Sequence, residues 1–225
     1  MKSNKKCITL CFACICARNK DMLLHDKLKH NTVILASASP RRRELLAATG
    51  IAFRIASKFD CEEQYPTTLP TEDVAPYLSR LKSHAYPFAL ECGDILITAD
   101  TTVLLGNAVL GKPASEAEAR TMLRSLSGRE HSVVTGVTLR SKERERTFAS
   151  TSKVRFAELS DEQIEYYIAN YAPMDKAGAY GIQEWIGYVG IESLEGSFYN
   201  VMGLPVQRLC RELECFIEAL PSCYE

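Results

Sequence analysis

From Val33 onward, short apolar runs alternate with helical patterns, and the sequence predicts a mixed α/β fold with a twisted central sheet flanked by helices. Three observations carry this expectation. Val33 to Ala36 and Ile95 to Ala99 read as buried strands. Segments beginning at Ser115 and Ser160 carry helix-capping signals ahead of amphipathic spacing. No repeat, low-complexity stretch or linker interrupts the pattern, so residues 32–225 are expected to form a single domain. At 225 residues, 46% hydrophobic and 24% charged, the chain can build one large lobe or two small ones sharing a core.

The elements follow in order. After the first strand, Ser39 and Pro40 suit a helix start, and Gly50 ends that helix. Phe53 to Ala56 reads as a strand. Thr71 to Glu91 has helical periodicity, with Pro76 and Pro87 as candidate breaks. Ile95 to Ala99 is a strand ending at Asp100. Val103–Leu105 and Ala108–Leu110 form a hairpin around Gly106-Asn107. Ser115 opens a helix to about Leu126, with Glu118 completing a capping box. His131 to Leu139 and Thr147 to Ala157 are strands joined by a charged turn. Ser160 to Tyr171 is a capped helix, and Leu204 to Leu220 is a closing amphipathic helix with Pro205 in its first turn.

Residues 1–31 are expected to be an unstructured extension. Lys2, Lys5 and Lys6 ahead of Cys7 to Ala17 imitate the basic-then-apolar order of a signal peptide, but the run is cysteine-rich and Ala17 is a poor cleavage site. Cys11 and Cys14 could be half of a metal site, yet no second pair stands at suitable spacing. The nine cysteines are odd in number and unpatterned, which points to reduced thiols and a cytoplasmic location. Net charge is −1 and the only basic tract is Arg41-Arg42-Arg43, which argues against a polynucleotide partner and for a small anionic ligand. No apolar stretch is long enough to cross a bilayer.

Several stretches could carry chemistry. Ser37 and Ser39, followed by Pro40 and the arginines, sit where a strand runs into a helix. The free N–H groups and positive dipole end would face the spot the arginines surround, and guanidinium forks match phosphate oxygens in pairs. Alone, this also reads as a solvated charge cluster. Asp100 at a strand end can accept a proton from water or hold a metal ion, or simply form a turn. Gly111-Lys112-Pro113 presents a lysine on a stiffened turn. His131 is expected to make a structural hydrogen bond, not to catalyse. In Asp175 to Gln183, two glycines and two alanines bring backbone close to something, and the Gln183 amide offers a donor and an acceptor to the edge of a base. The plainer reading is a tight loop in which Lys176 pairs with Asp175. Gly196 to Pro205 is a glycine-punctuated turn.

Taken together, these motifs from about Val33 to Leu213 resemble the Maf family of nucleoside triphosphate pyrophosphatases. The resemblance rests on the Ser37 to Arg42 start, Ala99-Asp100-Thr101, Gly111-Lys112-Pro113, Leu126-Ser127-Gly128-Arg129, Asp175 to Gln183 and Asn200 to Pro205. It implies a two-lobed, ITPase-like fold around a nucleotide cleft. It also implies hydrolysis of a nucleoside triphosphate between the α and β phosphates, aided by Mg²⁺ or Mn²⁺. Asp100 becomes the proton acceptor. Ser37, Ser39, Arg41, Lys112 and Lys82 bind phosphate, with Arg42 adding positive charge. Glu62, Glu63 and Asp100 are the candidate metal ligands. Lys82 stands one helical turn before the position where the family often has its lysine, here about Ala85.

The stretch Lys176 to Gln183 looks like the branch acting on dTTP and UTP, which makes Arg42, Thr101 and Gln183 the specificity residues. A uracil or thymine edge has carbonyl acceptors and one imide N–H that an amide can pair with. The alternatives are the same chemistry on 7-methyl-GTP, against which the loop argues, and a non-catalytic nucleotide-binding regulator of septation, against which the intact Asp100 and Lys112 argue. A homodimer is compatible with the sequence.

Overall fold

The computed structural model describes residues 22–220, with a mixed seven-stranded sheet at its centre. β1 (Thr32–Leu35) lies parallel to both β2 (Arg54–Ile55) and β3 (Asp94–Leu105). β4 (Ala108–Leu110) folds back on β3 through the Gly106-Asn107 turn, as its sequence predicts. β5 (Glu130–Arg140), β6 (Glu145–Phe156) and β7 (Ile191–Glu195) extend the sheet in antiparallel order.

The strand expected to stop at Asp100 runs on to Leu105. It continues because it changes partners. One edge of β3 pairs with β5 from Leu96 to Leu104. The other edge pairs with β1 up to Ile97 and with β4 only from Val103. Asp100 therefore lies mid-strand, opposite Gly136, beside a gap in the sheet edge.

Helices cover both faces. α1 (Leu24–Lys27) and a 3₁₀ turn (Leu28–His30) precede β1. They correct the expectation that everything before residue 32 is an unstructured appendage: Leu28 is buried in a core shared with Leu213 and Phe216, and Lys27 pairs with Glu214. The cysteine-rich segment lies outside the described residues. α2 (Pro40–Ala47) starts with Pro40 in its first turn. α3 (Val74–Ala85) is shorter than expected, following a 3₁₀ turn at Thr71–Asp73. Pro76 is tolerated in its first turn, where no N–H partner is needed, while Pro87 disfavours helix at the residue before it.

α4 (Glu116–Leu126) and α5 (Asp161–Tyr171) sit where their caps place them, Ser115 accepting from the Glu118 N–H and Ser160 from Gln163. In α4 the Glu118 carboxylate reaches back to the Ala114 N–H at 2.7 Å, not to the cap residue itself. α6 (Trp185–Gly190), β7 and α7 (Phe198–Met202) were not foreseen. α8 (Val206–Glu218) begins just after Pro205, two residues later than expected.

Among the described residues two large apolar cores result, with two smaller clusters beside them. One gathers Leu35, Leu46, Ile97, Leu139, Leu213 and Phe216. The other gathers Val103, Leu123, Phe156, Tyr167, Ile168 and Tyr180. β3 belongs to both. Among the described residues, no helix is long and apolar enough to cross a membrane. Cys61, Cys210 and Cys215 are free thiols as expected, whereas Cys92 is disulfide-bonded.

Candidate active site

The gap in the β3 edge is filled by a side chain. β1 makes its last contact with β3 when the Ala36 N–H donates to the Ile97 carbonyl. The next exposed carbonyl, that of Ala99, accepts from Arg42 Nη1 at 2.8 Å. Arg42 also donates through Nη2 to Thr101 Oγ1 at 2.9 Å and through Nε to the Gly203 carbonyl at 2.7 Å. Burial pulls the pKa of this guanidinium down, opposed by the nearby Asp100 charge. Its donors are thus committed to protein acceptors, so Arg42 serves as a strut more than as a free phosphate fork. The strut extends further: Thr101 Oγ1 lies 2.9 Å from Thr135 Oγ1, which donates to the Asn200 carbonyl. Asn200 itself is fully buried, its amide donating to Val133 O and Ser152 Oγ.

Successive strand residues point to opposite faces, so Asp100 faces α3 while Thr101 faces Arg42. Both still line the same cleft of about 650 Å³. On the α3 side, Thr98 Oγ1 donates to the Ser79 carbonyl at 2.6 Å. One helical turn along α3, Lys82 reaches the Asp100 carboxylate at 2.6 Å and Glu63 at 2.9 Å. This close seating depends on Gly136, because a Cβ there would collide with the α3 backbone at Ala75 and Pro76. Lys82 is therefore placed as a bridge between two carboxylates, where a free phosphate ligand was expected.

The same pair is the candidate cation site. Asp100 and Glu63 supply hard oxygen donors, and Mg²⁺ commonly takes one or two carboxylates plus substrate phosphate oxygens. The donor set fits that pattern. Among the described residues no group of three or more His, Cys, Asp or Glu could hold a metal without such help. Glu62 falls outside the arrangement: it is exposed, does not line the cleft and accepts from Gln64 Nε2 at 2.6 Å.

Ser37, Ser39, Arg41 and Lys112 all line the cleft. Ser39 occupies the cap position of α2, but its hydroxyl makes no cap hydrogen bond; instead its N–H donates to Ser37 Oγ at 3.3 Å. Arg41 pairs with Asp175 at 2.9 Å, and Asp175 with Lys176 at 2.8 Å. Burial would raise the Asp175 carboxyl, but these two cations outweigh it and hold it below its ordinary value. The plain expectation of an Asp175–Lys176 pair is thus met. The small residues after it bring backbone against β3. Gly178 has φ of 67°, its α-carbon faces Val103, and its N–H donates to the Gly111 carbonyl. That contact sets the Lys112 turn beside the Lys176 loop.

Gln183 lines the cleft with its Oε1 buried and without a hydrogen-bond partner. An unmet buried acceptor is costly unless a ligand supplies the donor. Sequence reading missed Tyr167, Glu184, Thr135 and Asn200. Tyr167 reads as a core residue of an amphipathic helix, and only the unbroken apolar flank of Asn200 could have hinted at a buried amide.

The chain is similar to several known proteins. A family model described as Maf-like protein matches residues 32–216. The dTTP/UTP pyrophosphatase of Phocaeicola vulgatus is 50% identical over 189 residues, 84% of this chain and 98% of that protein. The dTTP/UTP pyrophosphatase of Porphyromonas gingivalis is 51% identical over 196 residues, 86% of this chain and 98% of that protein. A solved nucleoside-triphosphatase / dITP/XTP pyrophosphatase from Mycobacterium abscessus aligns over 85% of this chain and 100% of its own. Its TM-score is 0.38 at 15% identity, too remote to bear on the fold.

Proposed function

The chain belongs to the Maf family, and from that premise we propose that it hydrolyses dTTP and UTP between the α and β phosphates, giving the monophosphate and pyrophosphate. The observation that carries this reading is the pairing, in one cleft, of a carboxylate seated among cations with a buried amide whose acceptor is unmet.

The geometry supports the following division of labour. Arg41, Lys112 and the free N–H groups opening α2 receive the triphosphate, with the Ser37 and Ser39 hydroxyls beside them. Asp100 takes the proton of the attacking water, and Lys82 holds its carboxylate in place. Asp100 and Glu63 would hold a divalent cation such as Mg²⁺ or Mn²⁺, whose charge would help neutralise the leaving pyrophosphate. Gln183 offers Oε1 to the imide N–H and its amide N–H to a carbonyl of uracil or thymine. Cytosine has no N–H at that ring position and leaves Oε1 unpaired. Arg42 and Thr101 act as specificity residues by fixing the cleft wall. The reading places the enzyme in the cytoplasm, clearing these nucleotides and modified pyrimidine relatives from the pool.

The test is pyrophosphate release with Mg²⁺ from dTTP, UTP, CTP, GTP and 7-methyl-GTP side by side. Preference for dTTP and UTP is expected. Preference for 7-methyl-GTP would keep the chemistry and overturn the role of Gln183. Binding without any release would favour a nucleotide-binding regulator.

A further inference from the structure

Gln183 sits at the apex of a short turn that is pinned at both ends by one side chain. The Gly181 N–H donates to the Tyr167 hydroxyl at 3.0 Å, and that hydroxyl donates onward to the Glu184 carboxylate. Glu184 closes the turn by donating its own N–H to the Gly181 carbonyl at 3.0 Å. The space above Gly181 is so narrow that a Cβ there would lie 3.1 Å from Gln183 Nε2 and 2.9 Å from the Glu184 carboxyl carbon. The Gln183 amide is therefore confined between Gly181 and Glu184.

The pin is rigid. Tyr167 is fully buried in the second core and its ring stacks on Tyr171 with centroids 5.2 Å apart. Burial, reinforced by Glu184, pushes its phenol above the ordinary range, so the hydroxyl keeps its proton and can only donate to that carboxylate. The other Glu184 oxygen is held by buried Lys176 at 3.1 Å, and Lys176 connects through Asp175 to Arg41 on the phosphate side. A line of charged contacts thus runs from the phosphate-binding arginine to the turn that carries the base-reading amide.

We propose that Tyr167 is a specificity-determining positioning residue, which sets the Gln183 amide for base reading through Gly181 and Glu184, with Lys176 locking Glu184 in place. The proposal rests on the reading that Gln183 recognises the base, and its test separates the two. The ratio of kcat/KM for UTP over CTP is measured in the parent enzyme, Tyr167→Phe, Gln183→Ala and the double variant. Tyr167→Phe keeps the stacked ring and removes only the hydroxyl. It should lower the ratio about tenfold, the effect of losing one well-placed hydrogen bond. The loss should appear mainly as a raised KM for UTP.

Because Tyr167 acts through Gln183, the double variant should discriminate no worse than Gln183→Ala alone. A parent-like ratio in Tyr167→Phe, or losses that add in full in the double variant, would overturn the proposal. An unchanged ratio in Gln183→Ala would instead overturn the base-reading assignment. Should Tyr167→Phe fail to fold, Glu184→Gln carries the same comparison, since it leaves an oxygen for Tyr167 and removes the charge facing Lys176. It should show the same non-additivity with Gln183→Ala, and full additivity would again overturn the proposal.

Discussion

Acid should destabilise this protein through one buried imidazole. His131 is 3% exposed, lies 2.8 Å through Nε2 from the Tyr180 hydroxyl, and stacks on Phe156. Its Nδ1 is buried without a partner, so a proton added there would bring charge into an apolar pocket. Burial accordingly moves the His131 pKa down to about 4. In the unfolded chain a histidine titrates near ~6.5. Between these values the unfolded state binds the extra proton and the folded state does not. The His131 contribution is therefore complete above about pH 6.5, declines as pH falls, and is fully lost below the folded value.

At pH 4.5 the loss is roughly 2–3 kcal/mol by linkage between those two pKa values. Urea unfolding followed by circular dichroism at pH 7.5, 6.0, 5.0 and 4.5, on the order of four points across the window, measures it against His131→Gln, which cannot titrate but keeps a polar group for Tyr180. Carboxylates titrate alike in both proteins and cancel in the difference. If the gap between parent and variant is the same at pH 7.5 as at pH 4.5, the reasoning from burial to proton exclusion is refuted.

Asp100→Asn should reduce pyrophosphate release by about a hundred- to ten-thousand-fold while calorimetric nucleotide binding persists, and near-parent turnover would remove Asp100 as the base. Gly136→Ala should cost about 3 kcal/mol or more by thermal unfolding, because α3 must lift off β5, and turnover should fall as Lys82 moves from Asp100. A parent-like melting temperature would show that the helix can yield. Leu28→Ala should lower stability by about 2–5 kcal/mol. Leu23→Ala, at an exposed position, should change it by less than about 0.5 kcal/mol. Equal urea midpoints for these two variants would detach the first helical turns from the fold.

Most of the sheet was legible in the sequence because its strands are apolar runs bounded by turn residues. The two capped helices were read to within a residue, since Ser115 and Ser160 make side-chain hydrogen bonds to the N–H groups three residues on. What escaped was short or two-sided. α6, α7 and β7 have six, five and five residues, too few to display a period, and β7 carries only Ile191 and Leu194 as apolar residues.

Asp100 was singled out as a candidate proton acceptor but placed at a strand end, because a change of partner along β3 leaves no mark in local sequence. The reach of Lys82 to Asp100 depends on Gly136, thirty-odd residues beyond the carboxylate it serves, a distance over which spacing arguments carry nothing. Arg42, Thr101 and Gln183 were proposed as specificity residues through resemblance to a family and all three line the cleft, whereas Tyr167 has no signature apart from its place in a helix core.

β3 is shared by both cores, and Asp100 sits on the stretch where it passes from one to the other. A rotation of the segments packed on one core relative to those on the other would have to bend that stretch. A group on a hinge axis travels least. The carboxylate and its lysine would stay registered to each other while Arg41 and Gln183, carried on segments away from the axis, swept the larger arcs. Widening the cleft would then shift Arg41 and Gln183 before it disturbed the Asp100 carboxylate between them.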